Sequence, residues 1–205
     1  MEQLFRKYKI CAILRGLPEE ICLSYAQAAY DGGIRIFEVA MNSECPIRQI
    51  EILKTNLSQD AVVGAGTVTT LERCREAKSA EASFFLTPSV SIPVLEYCQS
   101  HDIPLLPGVM TPSDVALCLE YGFRTMKLFP AGDLPSGYIK SLKGPFEETE
   151  YVAVGGVKRE NVNTFLQNGF IGVGIGSGLI PREYRKNGMW EEAASYIKEI
   201  ILKLQ

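Results

Sequence analysis

Histidine is almost absent from this chain of 205 residues, and its six cysteines include no C-x-x-C pair. The single histidine, His101, lies in the polar segment 99–102, which favours a loop or a helix end. Histidine-based metal sites and catalysis by Ser/His or Cys/His pairs are therefore nearly excluded. These absences leave an enzyme class that needs neither histidine nor a metal ion.

Long apolar runs and excess positive charge are also missing. No run approaches the roughly 20 residues of a membrane span, and segment 1–8 is charged, without the apolar centre of a signal peptide. A formal net charge of -3 offers no basic surface for nucleic acid or an anionic membrane. We therefore expect a cytoplasmic protein, without nucleic-acid or membrane partners, whose cysteines are free thiols.

Short apolar strands alternate along the chain with longer helical patterns. The predicted strands are Ile10–Leu14, Arg35–Ala40, Ala61–Ala65, Ser83–Leu86, Pro104–Leu106, Thr125–Phe129, Tyr151–Val154 and Ile171–Ile175. Predicted helices between and after them include Glu19–Tyr30, Pro46–Asn56, Leu71–Ser79, Pro112–Tyr121, Arg159–Gln167 and Met189–Lys203. Eight strands with eight helix-sized gaps predict a (β/α)8 TIM barrel, with residues 1–205 as a single domain. A doubly wound open sheet is the alternative, since periodicity alone does not show closure.

Turn-forming and polar residues follow most of the predicted strands. In a parallel barrel the carboxyl ends of all strands meet at one face, where active sites are built. The chemistry of turns explains the glycines and prolines at these ends. It does not explain Arg15, Glu38, Thr67 and Lys127, which are therefore candidate functional residues.

Two of these residues carry charge inside apolar strands. Lys127 lies in Thr125–Phe129 and Glu38 in Arg35–Ala40. Burial lowers the pKa of an unpaired lysine, and a neutral amine that attacks a ketone is the nucleophile of a Schiff-base enzyme. Strand alternation brings both side chains into the barrel if Ile36 and Phe129 face inwards. The structural alternative is a lysine that reaches the strand end, with Glu38 as its ion-pair partner.

Anion-binding groups follow other strands. Gly155-Gly156 and Gly176-Ser177 end the last two strands, where the backbone N–H groups of glycine-rich loops form the recurring phosphate site of such barrels. Arg15 suits a carboxylate or phosphate, although it could equally cap the barrel rim. Thr67 offers a hydroxyl to a second anion, and its structural alternative is a helix N-cap.

Together these segments resemble the KDPG/KDPGal aldolases, which act on 2-dehydro-3-deoxy-6-phosphogluconate (KDPG) or its galactonate epimer (KDPGal). The matching segments appear in family order from Leu14 to Ser177. They are Ile13-Leu14-Arg15-Gly16, Gly33–Val39, Val63–Val68, Thr87-Pro88, Leu106-Pro107-Gly108, Lys127–Pro130, Gly155-Gly156-Val157 and Gly174–Ser177. The resemblance implies a class I pyruvate aldolase on a (β/α)8 barrel, usually a homotrimer, which uses no cofactor.

The resemblance also implies roles for single residues. Lys127 would be the Schiff-base lysine and Glu38 the general acid/base. The pyruvate-binding residues would be Gly66 and Thr67, with Pro88 and Phe129 lining the pocket. The phosphate would bind at Gly155, Gly156, Gly176 and Ser177.

One segment departs from the phosphogluconate-type pattern. Those members carry Leu-Arg-Thr where this chain has Met41-Asn42-Ser43, and the Asn-Ser form and the stretch Ser136–Lys143 look more like the phosphogalactonate-specific members. The epimer preference stays open, with a slight lean to the galacto series, as does activity on 4-hydroxy-2-oxoglutarate. Two rival functions are a metal-free sugar-phosphate isomerase or epimerase, which would form no imine, and a non-catalytic sugar-phosphate-binding protein.

Overall fold

A parallel β-sheet forms the core of the fold in a computed structural model, which describes residues 1–204. The strand segments, in chain order, are β1 (Ile10–Leu14), β2 (Ile36–Ala40), β3 (Val62–Gly66), β4 (Phe85–Leu86), β5 (Leu105–Leu106), β6 (Gly108–Val109), β7 (Thr125–Leu128), β8 (Glu150–Val154) and β9 (Gly172–Ile175). All of them belong to one sheet with the order β5-β4-β3-β2-β1-β9-β8-β7-β6. Each predicted strand is present, with bounds that differ by a few residues.

The two ends of this order meet at Pro107, which alone separates β5 from β6. Leu105 pairs with Phe85 of β4, and Gly108 pairs with Lys127 of β7, so β5 and β6 are halves of one barrel position. Proline has no N–H for the strand ladder, but the carbonyl of Pro107 accepts a bond from the Lys127 backbone N–H at 2.8 Å. The predicted (β/α)8 barrel is therefore confirmed, with its fifth strand broken, and the open-sheet alternative is wrong.

Helices surround the barrel. They are α1 (Glu2–Tyr8), α2 (Glu19–Asp31), α3 (Pro46–Asn56), α4 (Leu71–Ser79), α5 (Ile92–Ser100), α6 (Pro112–Glu120), α7 (Tyr138–Lys143), α8 (Val162–Gln167), α9 (Arg182–Asn187) and α10 (Trp190–Leu202). Within residues 1–204, none of these helices combines the length and the hydrophobicity that a membrane crossing requires. All six cysteines are free thiols.

Two apolar clusters hold the fold together. The larger fills the space between the strands and the outer helices, and the smaller fills the barrel interior with residues such as Ile13, Ile36, Leu106 and Val152. Helix α1 closes the amino end of the barrel, because Phe5 is fully buried against Gly172 of β9. One end of the barrel is thus sealed, and the carboxyl ends of the strands remain for a site.

Candidate active site

Lys127 lies on β7 with its side chain in the barrel interior. Its register partner on β8 is Val152, a member of the inner apolar cluster, and in-register residues of neighbouring strands share a face. The side chain is almost fully buried, with 2% of its surface exposed. Its Nζ lies 4.9 Å from the centre of the Phe129 ring. The predicted inward orientation of this lysine is therefore what the fold produces.

Glu38 enters the same interior from β2. It pairs in register with Ile13 of β1, another inner-cluster residue, and it is completely buried. Neither carboxylate oxygen has a hydrogen-bond partner among the described residues. The carboxyl group is therefore not hydrogen-bonded to Lys127, and the alternative of a structural ion pair is wrong for this structure.

Burial dominates the electrostatics of this pair. Desolvation lowers the pKa of Lys127, an effect that Glu38 opposes and Arg15 reinforces. Desolvation raises the pKa of Glu38, against the attraction of Lys127 and Arg15. Both shifts favour uncharged forms, a free amine beside a protonated carboxyl group. These are the forms that a nucleophile and a general acid require.

Gly66 ends β3 and fits closely around Glu38. A Cβ atom at Gly66 would lie 1.5 Å from Oε1 of Glu38, which no real pair of atoms can occupy. Only glycine therefore leaves room for the carboxyl group where it stands. This contact gives Gly66 a role that the sequence did not reveal, because it was identified there only by family resemblance.

Thr67 and Arg15 meet above this pair, at the barrel rim. Thr67 adopts a φ of 57°, unusual for a β-branched residue, and its Oγ1 accepts a bond from Arg15 Nη2 at 3.3 Å. The loop that carries Arg15 is tied to the β2–α3 loop, because the Gly16 N–H donates to Ser43 Oγ at 3.2 Å. A guanidinium and a hydroxyl are thus presented together. Thr67 is not the helix N-cap, because the N-cap of α4 is Thr70.

The predicted glycine-rich loops line a cleft of about 480 Å³ at the carboxyl ends of the strands. Gly155 and Gly156 have φ values of 88° and 70°, and Gly156 packs so closely on Gly132 that a Cβ would lie 2.9 Å from its Cα. Gly176 and Ser177, which follow the neighbouring strand β9, also line the cleft, as do Arg15 and Phe129. Pro88 lies elsewhere, packed on Gly108, the register partner of Lys127.

Residues 1–195 match the family model for the KDPG and KHG aldolases. The chain belongs to this family. It is therefore an aldolase, which is a lyase. The TIM barrel described above is the fold of its structural relatives, and the site lies where that fold places active sites.

Similarity to individual family members extends over most of the chain. A 2-dehydro-3-deoxy-phosphogluconate aldolase of Dickeya dadantii is 32% identical over 89% of this chain and 85% of its own length. A 2-dehydro-3-deoxy-6-phosphogalactonate aldolase of Escherichia coli is 28% identical over 94% of both chains. The crystal structure of a KDPG aldolase from Legionella pneumophila, with pyruvate captured as a covalent carbinolamine, has a TM-score of 0.88, 28% identity and 97% coverage of both chains.

Several residues of this aldolase cleft were not identified from the sequence. Lys158 and Arg159 come one residue after the Gly155-Gly156 turn, a position that could have indicated a phosphate contact. Lys158 is exposed, whereas Arg159 donates to Glu199 and stacks on Tyr196, 4.3 Å from the ring centre. No feature of the sequence indicated that Tyr196 and Glu199 of α10 lie near the ends of the strands.

Cys11 is a further residue, close to Glu38 and Lys127, that was not identified from the sequence. It lies on β1 in the inner cluster, and burial and then the charge of Glu38 raise the pKa of its thiol well above the ordinary value. The thiol near Lys127 and Glu38 is therefore protonated. Within residues 1–204, no cluster of histidine, cysteine, aspartate and glutamate has the arrangement of a metal site.

Proposed function

We propose that this aldolase cleaves a phosphorylated 2-dehydro-3-deoxy sugar acid to pyruvate and glyceraldehyde 3-phosphate through a Schiff base on Lys127. The observation that supports this most is the buried Lys127–Glu38 pair, whose surroundings favour a neutral amine and a protonated carboxyl group. The relatives named for KDPG and KDPGal cleavage support the same substrate class. The carbinolamine of pyruvate described for the Legionella enzyme supports the covalent route.

The first stage is imine formation. The neutral amine of Lys127 adds to the C2 ketone of the substrate and gives a carbinolamine. Glu38, whose pKa burial raises, is proposed to give a proton to the departing hydroxyl, which leaves as water. The product is a cationic imine on Lys127 and a carboxylate on Glu38.

The second stage is cleavage of the carbon chain. The Glu38 carboxylate, directly or through a water molecule, takes the proton of the C4 hydroxyl. The C3–C4 bond breaks, C4 becomes the aldehyde of glyceraldehyde 3-phosphate, and the bonding electrons pass into the imine to form an enamine. Protonation of C3 by Glu38 and hydrolysis of the imine release pyruvate. The iminium is the electron sink, so no metal or organic cofactor is required.

Binding groups at both ends of the site suit the two anionic ends of this substrate. Arg15, Gly66 and Thr67 are proposed to hold the carboxylate of the pyruvate half, beside Glu38. The cleft walls formed by Gly155-Gly156 and Gly176-Ser177 are proposed to hold the 6-phosphate through backbone N–H groups. Phe129, whose ring lies near Lys127, and Pro88, which packs on the register partner of Lys127, are proposed to line the apolar side of the site around the lysine.

The finer points of specificity and assembly are also proposals. Asn42, where gluco-type relatives carry arginine, is exposed and favours the galacto epimer. Assays of both epimers and of 4-hydroxy-2-oxoglutarate under one condition would decide the preference. A homotrimer is expected from the family resemblance, and light scattering would measure the mass.

Borohydride trapping tests the central step. Pyruvate followed by borohydride should reduce the imine to a stable secondary amine, and peptide mapping by mass spectrometry should find the adduct on the peptide that contains Lys127. Lys127→Met, which keeps the length and apolar character of the side chain, is the matched control and should remain unlabelled.

Three results would contradict the proposal, the last of them only in part. A folded wild-type protein that takes up no label, yet interconverts sugar phosphates, would be an isomerase or epimerase. A protein that neither forms the adduct nor releases pyruvate would be a binding protein. An adduct on another lysine would refute the role of Lys127, but not the Schiff-base chemistry.

A further inference from the structure

Thr67 is held in a backbone conformation that it would not adopt by itself. Its φ of 57° lies in the left-handed region, which a β-branched side chain disfavours. Such residues persist only where their surroundings impose the conformation. The position directly follows Gly66, which is packed against the Glu38 carboxyl group, so the chain must turn sharply here. Some neighbouring group must therefore stabilise the turn.

Arg73, on the first turn of α4, makes the contacts that do so. Its Nη1 donates to the Thr67 carbonyl at 3.1 Å and to Thr69 Oγ1 at 2.9 Å, which uses both N–H groups of that nitrogen. Its own backbone N–H donates to the capping Thr70 Oγ1 at 3.2 Å. In the described part of the chain, Arg73 forms no salt bridge. The hydrogen bonds of its partly buried guanidinium are therefore made to the loop that contains Thr67 and Thr69.

Two guanidinium groups therefore converge on Thr67 from different parts of the fold. Arg15 donates to its hydroxyl from the end of β1, and Arg73 donates to its carbonyl from α4. The carbonyl contact fixes the peptide plane that follows Thr67, and the hydroxyl contact fixes the side chain. This arrangement aligns the hydroxyl of Thr67 with Arg15, where the carboxylate of the pyruvate half is proposed to bind.

We propose that Arg73 is a positioning residue that keeps Thr67 in its left-handed conformation and so pre-organises the carboxylate-binding end of the active site. The inference deepens the proposed function and rests on it for the substrate. Arg73 itself does not touch the reacting atoms. Its loss should weaken pyruvate binding, because an unheld loop must be ordered when the substrate binds, and should change the chemical step much less.

Saturation of borohydride trapping by pyruvate separates these two effects. Arg73→Gln should raise the half-saturating pyruvate concentration by roughly 10-fold or more, the usual scale for loss of a charged hydrogen bond. The limiting trapping rate should stay within about threefold of the wild type, an estimate that follows because Lys127 and Glu38 are untouched. Arg75→Gln, on the exposed side of the same helix, is the matched control and should change neither quantity.

Two further variants distinguish positioning from general damage. Arg73→Lys keeps the charge and should recover part of the pyruvate affinity. Thr67→Gly adopts a positive φ without strain, so adding Arg73→Gln to it should raise the half-saturating concentration far less than in the wild type. Such non-additivity is expected only if Arg73 acts through Thr67.

Amide hydrogen exchange gives a readout that does not depend on the proposed function. The Val68 N–H is bonded to the Leu86 carbonyl at 3.1 Å, and its exchange should accelerate in Arg73→Gln but not in Arg75→Gln. Unchanged exchange and unchanged pyruvate affinity in folded Arg73→Gln would overturn the inference while the proposed function stands. A wild type without pyruvate labelling would instead remove the proposed function, and exchange would still decide whether Arg73 holds the loop.

Discussion

Gly66→Ala is the smallest change that should disable the proposed acid/base residue. The added Cβ would lie 1.5 Å from Oε1 of Glu38 and 2.1 Å from its Cδ. Ordinary contact begins at 3.4 Å, so the carboxyl group must move by about 2 Å, or β3 must shift. A misplacement of about 1 Å can cost on the order of 10²-fold in rate. We therefore expect turnover to fall at least about 10²-fold.

Stability should fall less severely than activity. Forcing a methyl group into a packed interior costs about 1–3 kcal/mol, which for a chain of this size lowers Tm by about 2–12 °C. The assay is pyruvate release coupled to lactate dehydrogenase, with circular dichroism to establish that the variant is folded. Gly137→Ala is the control, because nothing lies within 4 Å of the Cβ position there, its φ of -82° suits alanine, and it does not line the cleft.

A second substitution tests the geometric cause. Glu38→Asp withdraws the carboxyl group by one methylene, so Gly66→Ala should cost less activity in the Glu38→Asp background than in the wild type. A folded Gly66→Ala protein with turnover within about threefold of the wild type would refute the reasoning, on the rate scale used above. It would mean that the exact location of the carboxyl group does not matter to the reaction.

Three further expectations follow from the site. Glu38→Gln should lower turnover by roughly 10²–10⁴-fold in a folded protein. Burial raises the pKa of Glu38 above its ordinary 4.5, so the unfolding free energy of the wild type should fall as the pH rises from 4.5 through the pKa of the folded state. Denaturant titrations of Glu38→Gln should not show this contribution to the pH dependence of stability. Ser177→Asp places a carboxylate in the proposed phosphate cleft, so kcat/KM should drop far more for the phosphosugar than for 4-hydroxy-2-oxoglutarate, and equal losses would contradict the phosphate assignment. Activity should survive exhaustive EDTA treatment, whereas loss restored by zinc would contradict an iminium electron sink.

Several features of this aldolase could be predicted from local sequence properties. The alternation of short apolar strands with helices predicted the barrel, because the hydrophobic periodicity of a strand or a helix can be recognised within a short stretch of sequence. Lys127 and Glu38 were identified because burying a charge in an apolar strand costs desolvation free energy in any fold. The carboxyl-end location of the glycine-rich loops followed from the parallel topology of the barrel.

The structural details that depend on distant segments were not predictable in this way. The break of the fifth strand at Pro107, the closure of the barrel by α1, and the approach of Arg159 to Tyr196 of α10 each join residues far apart in the chain. A sequence pattern reports which face of an element is apolar, but not which element covers it.

The sequence by itself determined which residues are proposed to carry the chemistry: a lysine and a glutamate in apolar strands, and glycines at strand ends. Only the tertiary structure decided how they are used. The pair lacks an ion-pair contact, Gly66 is glycine because Glu38 occupies the space beside it, and Arg73 holds Thr67. The physical reason is that identity and burial follow from short-range periodicity, whereas distances between side chains on different strands depend on how the whole barrel closes.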